Sequence, residues 1–129
     1  MIGYITLGTN DLERATDFYD QLLKPLGASR FMETERMVAW LVSPSKPGIA
    51  INKPYDGKPA TVGNGSMVAL AVNSPDKVDE VYGKAIELKA TDEGAPGPRG
   101  ESGFYAAYFR DLDGNKLNVF CMMNSEDPK

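Results

Sequence analysis

Few side chains in this 129-residue sequence can do chemistry, and the missing ones narrow the field first. There is no histidine. That excludes Ser-His-Asp and Cys-His nucleophiles, histidine bases, the H-E-x-x-H zinc motif and every His-containing metal site. The single Cys121 can form neither an intramolecular disulfide nor a Cys-rich zinc site, and within a strand it reads as a buried, inert thiol. Asn118 is the oddest choice that remains, an amide set among Leu117, Val119 and Phe120. A buried amide is costly unless bonded. It therefore needs a structural partner, such as a backbone carbonyl or Tyr4, or a ligand.

Other chemistry-bearing residues have simpler readings beside the functional one. Tyr4 or Tyr108 could supply a proton as an acid. Glu33 and Glu35 stand two apart, a carboxylate pair of the kind used for acid–base work, but beside a turn they read better as a solvated edge. Arg99, in a Gly/Pro-rich stretch, is the cation placed to close as a lid over an anionic group; plain surface charge is the alternative. Trp40 either stacks on a ligand or fills a core or dimer interface. Gly63-Asn64-Gly65 precedes a strand and lacks a third glycine, so it is no dinucleotide fingerprint. Asp111-Leu112-Asp113-Gly114-Asn115 lacks the spacing and the bidentate Glu of a calcium loop and reads as a hairpin turn.

These residues must be positioned by a recognisable series of elements. Residues 3–9 alternate as a strand. Asn10 can cap a helix, with Glu13 as capping-box partner. Leu12, Ala15, Tyr19, Leu22 and Leu26 follow at helical spacing, widened by Phe18 and Leu23, until Pro25 and Gly27 end the run in an irregular turn. Residues 29–34, 37–43 and 48–53 read as three short strands, and 54–65 as a turn-rich linker. Residues 66–73 form another strand. Ser74 caps a second helix, Pro75 fits its first position, and Val78, Val81, Tyr82, Ala85 and Ile86 make its apolar face. Residues 94–103 read as a Gly/Pro loop, 104–110 and 116–122 as strands, and 124–129 as a frayed tail.

Alternation assigns faces. Tyr4, Thr6 and Gly8 share one side of the first strand, and Ile5 and Leu7, the helix-facing pair, share the other. By the same phase Met67, Ala69 and Ala71 belong together, as do Lys116, Asn118 and Phe120, with Phe104, Ala106 and Tyr108 on the neighbouring strand.

Composition fits an ordinary globular domain, 42% apolar and 25% charged. A net charge of −4 repels phosphate backbones and anionic lipid, so neither nucleic acid nor membrane is an expected partner. The chain opens Met1-Ile2-Gly3-Tyr4 without a basic segment or long apolar run. Neither signal peptide nor membrane span is expected, and the cytoplasm is the default setting.

Sliding the sequence by 63 positions lays Leu7 on Leu70, Asn10 on Asn73, Ala15 on Val78, Tyr19 on Tyr82 and Leu23 on Ile86. The hydrophobic phase repeats, which predicts two copies of a βαβββ module, 1–60 and 61–123. The carrying residues are Tyr4-x-x-Leu7-x-Thr9-Asn10-Asp11-Leu12, Asp17-Phe18-Tyr19 and Leu26-Gly27 in the first half. In the second they are Met67 to Asn73 and Phe109-Arg-Asp-Leu-Asp-Gly-Asn115. In order and spacing they resemble the glyoxalase/bleomycin-resistance/dioxygenase, or vicinal oxygen chelate, superfamily over residues 2–122.

The resemblance implies an α+β fold in which two βαβββ modules form a curled, cup-like mixed sheet, commonly as a homodimer. It implies a divalent metal held at four strand positions, which fall here at Tyr4, Ala50 (or Asn52 in a shifted register), Met67 and Asn118. None is a usual ligand for a hard metal: thioethers suit soft ions, and Asn carbonyls are weak donors without carboxylate support. No metal or other cofactor is therefore expected. The cup would be lined by Tyr4, Thr6, Ala50, Asn52, Met67, Ala69, Phe104, Tyr108, Asn118 and Phe120, a lightly polar aromatic surface suited to a small organic molecule. The alternative is a second core filled by the same side chains. A metal-dependent lyase, isomerase or dioxygenase and a drug-sequestering protein remain the competing functions, the latter with a weak preference for cations from the net charge.

Overall fold

A computed structural model describes residues 1–123; the expected frayed tail lies outside the described residues. The chain divides into two compact units, Met1–Asn64 and Gly65 onward. The first contains β1 (Tyr4–Gly8), α1 (Leu12–Leu22), a 3₁₀ turn (Lys24–Leu26), β2 (Ser29–Glu33), β3 (Met37–Leu41) and β4 (Gly48–Asn52). The second contains β5 (Val68–Ala71), α2 (Pro75–Glu87), β6 (Thr91–Pro98), β7 (Phe104–Arg110) and β8 (Lys116–Met122). The sheets have matching orders, β1-β4-β3-β2 and β5-β8-β7-β6. In each the first strand runs parallel to the fourth and the other pairs are antiparallel. The α+β class and the doubled βαβββ order are as the sequence predicts.

In the first unit α1 covers one face with Ala15, Thr16, Phe18, Tyr19 and Leu22. Tyr19 packs at 5.0 Å from the Phe18 ring and 5.8 Å from Trp40, both centroid distances. Trp40 Nε1 donates to Asp20 Oδ1 at 2.9 Å, which fixes Trp40 in the core. Arg30 of β2 grips the same carboxylate with two nitrogens. Its hydrogen bonds hold the Asp20 carboxyl below the usual range against the opposing effect of burial, and Trp40 adds to the lowering. The cap differs from expectation: Asp11, not Asn10, is the N-cap and accepts from Arg14 N at 3.0 Å. Asn10 is committed elsewhere, exchanging two hydrogen bonds with the backbone of Ala60 at 2.6 and 3.2 Å. Gly27, at φ 83°, closes the 3₁₀ turn in the left-handed region.

In the second unit α2 is capped by Ser74 and buries Val78, Val81 and Ala85. Ile86, expected on that face, lies exposed near the helix end. The larger correction is β6. Residues 94–98, read as loop, belong to a strand paired with β7 through Gly94↔Tyr108, Gly97↔Ala106 and Pro98↔Tyr105. Register shifts on both sides of Gly94 absorb the irregular residues, and β6 is an edge strand, where missing proline N–H groups cost no ladder bond.

Candidate functional site

Each sheet has one face under its helix and one face away from it. In the first unit the register brings Thr6 beside Ala50 and Gly8 beside Asn52 in the parallel β1–β4 pair. Tyr4 is 67% exposed and Thr6 exposed, whereas Ile5 and Leu7 are partly covered, as the alternation predicts. Ala50 is buried, and Asn52 is partly buried with its Nδ2 donating to the Lys53 carbonyl at 3.1 Å. Met67 lies just before β5 and is 44% exposed; Ala69 is exposed and paired with Asn118.

The chemistry concentrates on the face of the second sheet turned away from α2. Asn118 sits in the middle of β8, between Ala69 of β5 and Tyr108 of β7. It is 1% exposed, and its Oδ1 has no hydrogen-bond partner. Phe104 and Phe120 stack on each other at 5.4 Å between centroids. Tyr108 carries two cations: the Arg99 guanidinium at 5.5 Å from the ring centroid and the Lys116 ammonium at 5.6 Å. Arg99 follows β6 directly and lies back along it, donating to Gly97 O and Ala95 O at 2.8 Å each. Glycine makes that possible. A Cβ on Gly94 would come within 3.2 Å of Arg99 Nη2, and one on Gly97 within 3.3 Å of Nη1. The structure thus gathers Ala69, Phe104, Tyr108, Asn118, Phe120 and Arg99 on one unit, and Tyr4, Thr6, Ala50 and Asn52 on the other.

Lys116 is the residue the site reading passed over. Its signal was present, since it stands two positions from Asn118 on the same strand face. Other chemistry-bearing side chains belong to the framework. Tyr105, on the helix side, donates to Asp79 Oδ1 at 2.8 Å; that bond first, and burial second, raise its pKa. Burial, then the hydrogen bond to Asp92, raises Tyr82 likewise. Neither phenol serves as a base at neutral pH. Glu33 ends β2 paired with Arg30 at 2.8 Å, and Glu35 lies in the turn beyond. A shallow groove of about 370 Å³, lined by Glu33 with Glu13, Thr16, Asp17, Arg30 and Lys53 among others, contains none of the predicted cup-lining residues. Asp111 to Asn115 form the β7–β8 hairpin, as read.

The family model of the Glyoxalase/Bleomycin resistance protein/Dioxygenase superfamily matches residues 1–119. The chain belongs to this superfamily. It is similar to the crystal structure of a glyoxalase/bleomycin resistance protein from Albidiferax ferrireducens T118, at 36% identity and a TM-score of 0.86, covering 94% of this chain and 98% of that one. A superfamily enzyme from Burkholderia phytofirmans PsJN is 18% identical with a TM-score of 0.75, covering 94% and 98% of the two chains. The fosfomycin resistance protein FosX from Mesorhizobium loti is 20% identical with a TM-score of 0.70, covering 98% and 95%. Comparison with curated proteins finds no match.

The metal that this superfamily implies can be tested against the residues present. The corresponding positions hold a phenol (Tyr4), a methyl group (Ala50) or an amide already bonded to backbone (Asn52), a thioether (Met67) and the Asn118 amide. Among the described residues no group of three or more His, Cys, Asp or Glu is arranged to hold a metal ion. This donor set does not fit a hard divalent cation.

Proposed function

We propose that this superfamily member binds a small, largely aromatic organic molecule on the sheet face that carries Asn118, away from α2, without the usual metal. The observation that carries this reading is the orphaned carbonyl of Asn118 in a 1%-exposed side chain. An unsatisfied buried acceptor costs about 1–3 kcal/mol, and native proteins carry few. A ligand hydroxyl or N–H group would relieve that cost. The stacked Phe104–Phe120 pair and the Tyr108 ring supply the flat apolar surface such a ligand needs. The reading includes a cytoplasmic homodimer. Tyr4, Ile2 and Phe31 are each at least half exposed, apolar surface that a second copy would cover. Among the described residues no helix is long and apolar enough to cross a membrane.

The test is elemental analysis of untagged protein, with thermal titrations against Ni²⁺, Zn²⁺, Mn²⁺ and Mg²⁺ and against a panel of aromatic alcohols, acids and amines. The expected result is no stoichiometric metal and no metal-induced shift, with an organic ligand adding about 2.7 kcal/mol at about a hundred times its dissociation constant. That gain is lost in Asn118→Leu. Stoichiometric metal with a matching shift overturns the reading in favour of a metal-dependent lyase or dioxygenase.

Asn118→Leu also separates ligand contact from structural network. Its unfolding free energy in urea is expected within about 1 kcal/mol of the parent or above it, because the lost amide leaves no bonded partner stranded. A loss beyond about 2 kcal/mol would assign Asn118 to a structural network.

A further inference from the structure

We infer that the ligand of this face is a small organic anion that also carries a hydrogen-bond donor, its acid group seated by Arg99 and Lys116 and its donor at Asn118 Oδ1. The inference rests on the reading of this face as a binding surface and adds the charge and the functional groups of the ligand.

Charge comes first. The chain as a whole is acidic, with 14 Lys and Arg against 18 Asp and Glu. Yet two cations converge on one tyrosine ring, Arg99 from the end of β6 and Lys116 from the start of β8. Among the described residues neither has a carboxylate partner, while Arg110 of the same hairpin is paired with Glu93 at 2.8 Å. Two like charges against one ring repel each other, and the ring quadrupole offsets only part of that. An anion bound beside both offsets that repulsion, and a site partly shielded from water makes the attraction stronger.

Construction comes second. Arg99 is not a free surface arginine. Two carbonyls of β6 hold its guanidinium, beside two glycines where any Cβ would crowd it. Holding a long side chain in one rotamer costs entropy before any ligand arrives. Its remaining N–H groups keep the planar fork that suits carboxylate and phosphoryl oxygens.

The third feature is Asn118. Its register partner is Tyr108, the ring both cations share, so the orphaned acceptor and the positive cluster lie on adjacent strands of one face. An anion alone would not satisfy Oδ1, which needs a donor. The complementary ligand therefore has an acid and a hydroxyl or N–H group on one small frame, and the surrounding rings favour an aromatic one.

Three probes dissect this in titrations of the whole chain: 3-hydroxybenzoate, benzoate, and the neutral 3-hydroxybenzyl alcohol. The acid with a hydroxyl is expected to bind at least about tenfold tighter than either probe lacking one feature, as for a site built around buried polar groups. Arg99→Met and Lys116→Met should each weaken 3-hydroxybenzoate by about tenfold and leave the neutral alcohol within about twofold. Lys116→Arg should restore most of the loss, which a merely unfolded variant would not. Asn118→Leu should bring 3-hydroxybenzoate down to the level of benzoate.

Equal binding of the acid and the alcohol, no effect of either methionine variant, or no binding of 3-hydroxybenzoate would each overturn the inference. Neutral aromatics that bind in an Asn118-dependent way, indifferent to both cations, would sink it while leaving the proposed function standing. Binding of metal alone would sink both.

Discussion

Tyr19→Ala is expected to cost about 3–5 kcal/mol, the usual range for removing a large buried ring. Tyr19 is 1% exposed and lies at the centre of the α1 face. Its ring is in contact with Phe18 from its own helix and with Trp40 of β3. Removing it takes away the surface that joins α1 to the middle of the first sheet. Relaxation is limited, because Trp40 is pinned to Asp20, and Asp20 to Arg30. A domain holds only about 5–15 kcal/mol in total, so the variant should unfold at a much lower urea concentration. A near-neutral result would mean that α1 does not pack through this face.

Asp111→Ala is the second large effect, expected at about 2–3 kcal/mol from buried donors left without an acceptor. Asp111 is buried, and its Oδ1 accepts from the backbone N–H of Asp113 and Asn115, both at 2.9 Å. Its Oδ2 accepts from Asn115 Nδ2 at 3.0 Å. Gly114, at φ 89°, supplies the left-handed residue that the turn requires. The carboxylate thus organises the hairpin that sets β7 against β8, including the Tyr108↔Asn118 pair. Asp111→Asn keeps one acceptor and should lose less than half as much in urea unfolding. Amide exchange at Tyr108 and Asn118 should accelerate in the alanine variant. Unchanged exchange would show that the register is fixed without this turn.

The Asp-Gly-Asn signal was legible because turn chemistry is local: glycine, an Asx acceptor and two flanking alternating runs decide it. The doubled module was legible for a related reason. A shift of 63 carries β1 onto β5 and α1 onto α2, whose caps and apolar phase are local patterns. The same shift carries β2 onto β6, and there composition misleads. Thr91–Pro98 contains Gly94, Pro96, Gly97 and Pro98, a loop by propensity. Pairing with β7 overrides that preference, since strand propensity is largely a statement about neighbours. Trusting the repeat over the composition would have found the strand.

The candidate site was half legible. Alternation placed Tyr108, Asn118 and Phe120 together, and the single amide in an apolar run was visible at once. The cation pair was not. The register shifts around Gly94 break the simple count of two along β6, so alternation cannot tell where Arg99 returns to the sheet. That Asn118 lacks a bonded partner is equally invisible in sequence, because it depends on what every neighbour does instead.

The awkward composition of β6 has one more effect. An edge strand offers a row of unpaired donors and acceptors to any extended chain that drifts past. Along β6 that row is interrupted. Pro96 and Pro98 have no N–H to give, and the shifts flanking Gly94 put successive carbonyls out of step. A stray strand, from a neighbouring copy or from a partly synthesised chain, finds no continuous ladder there to extend. The residues that make this strand hard to recognise also keep it from templating aggregation.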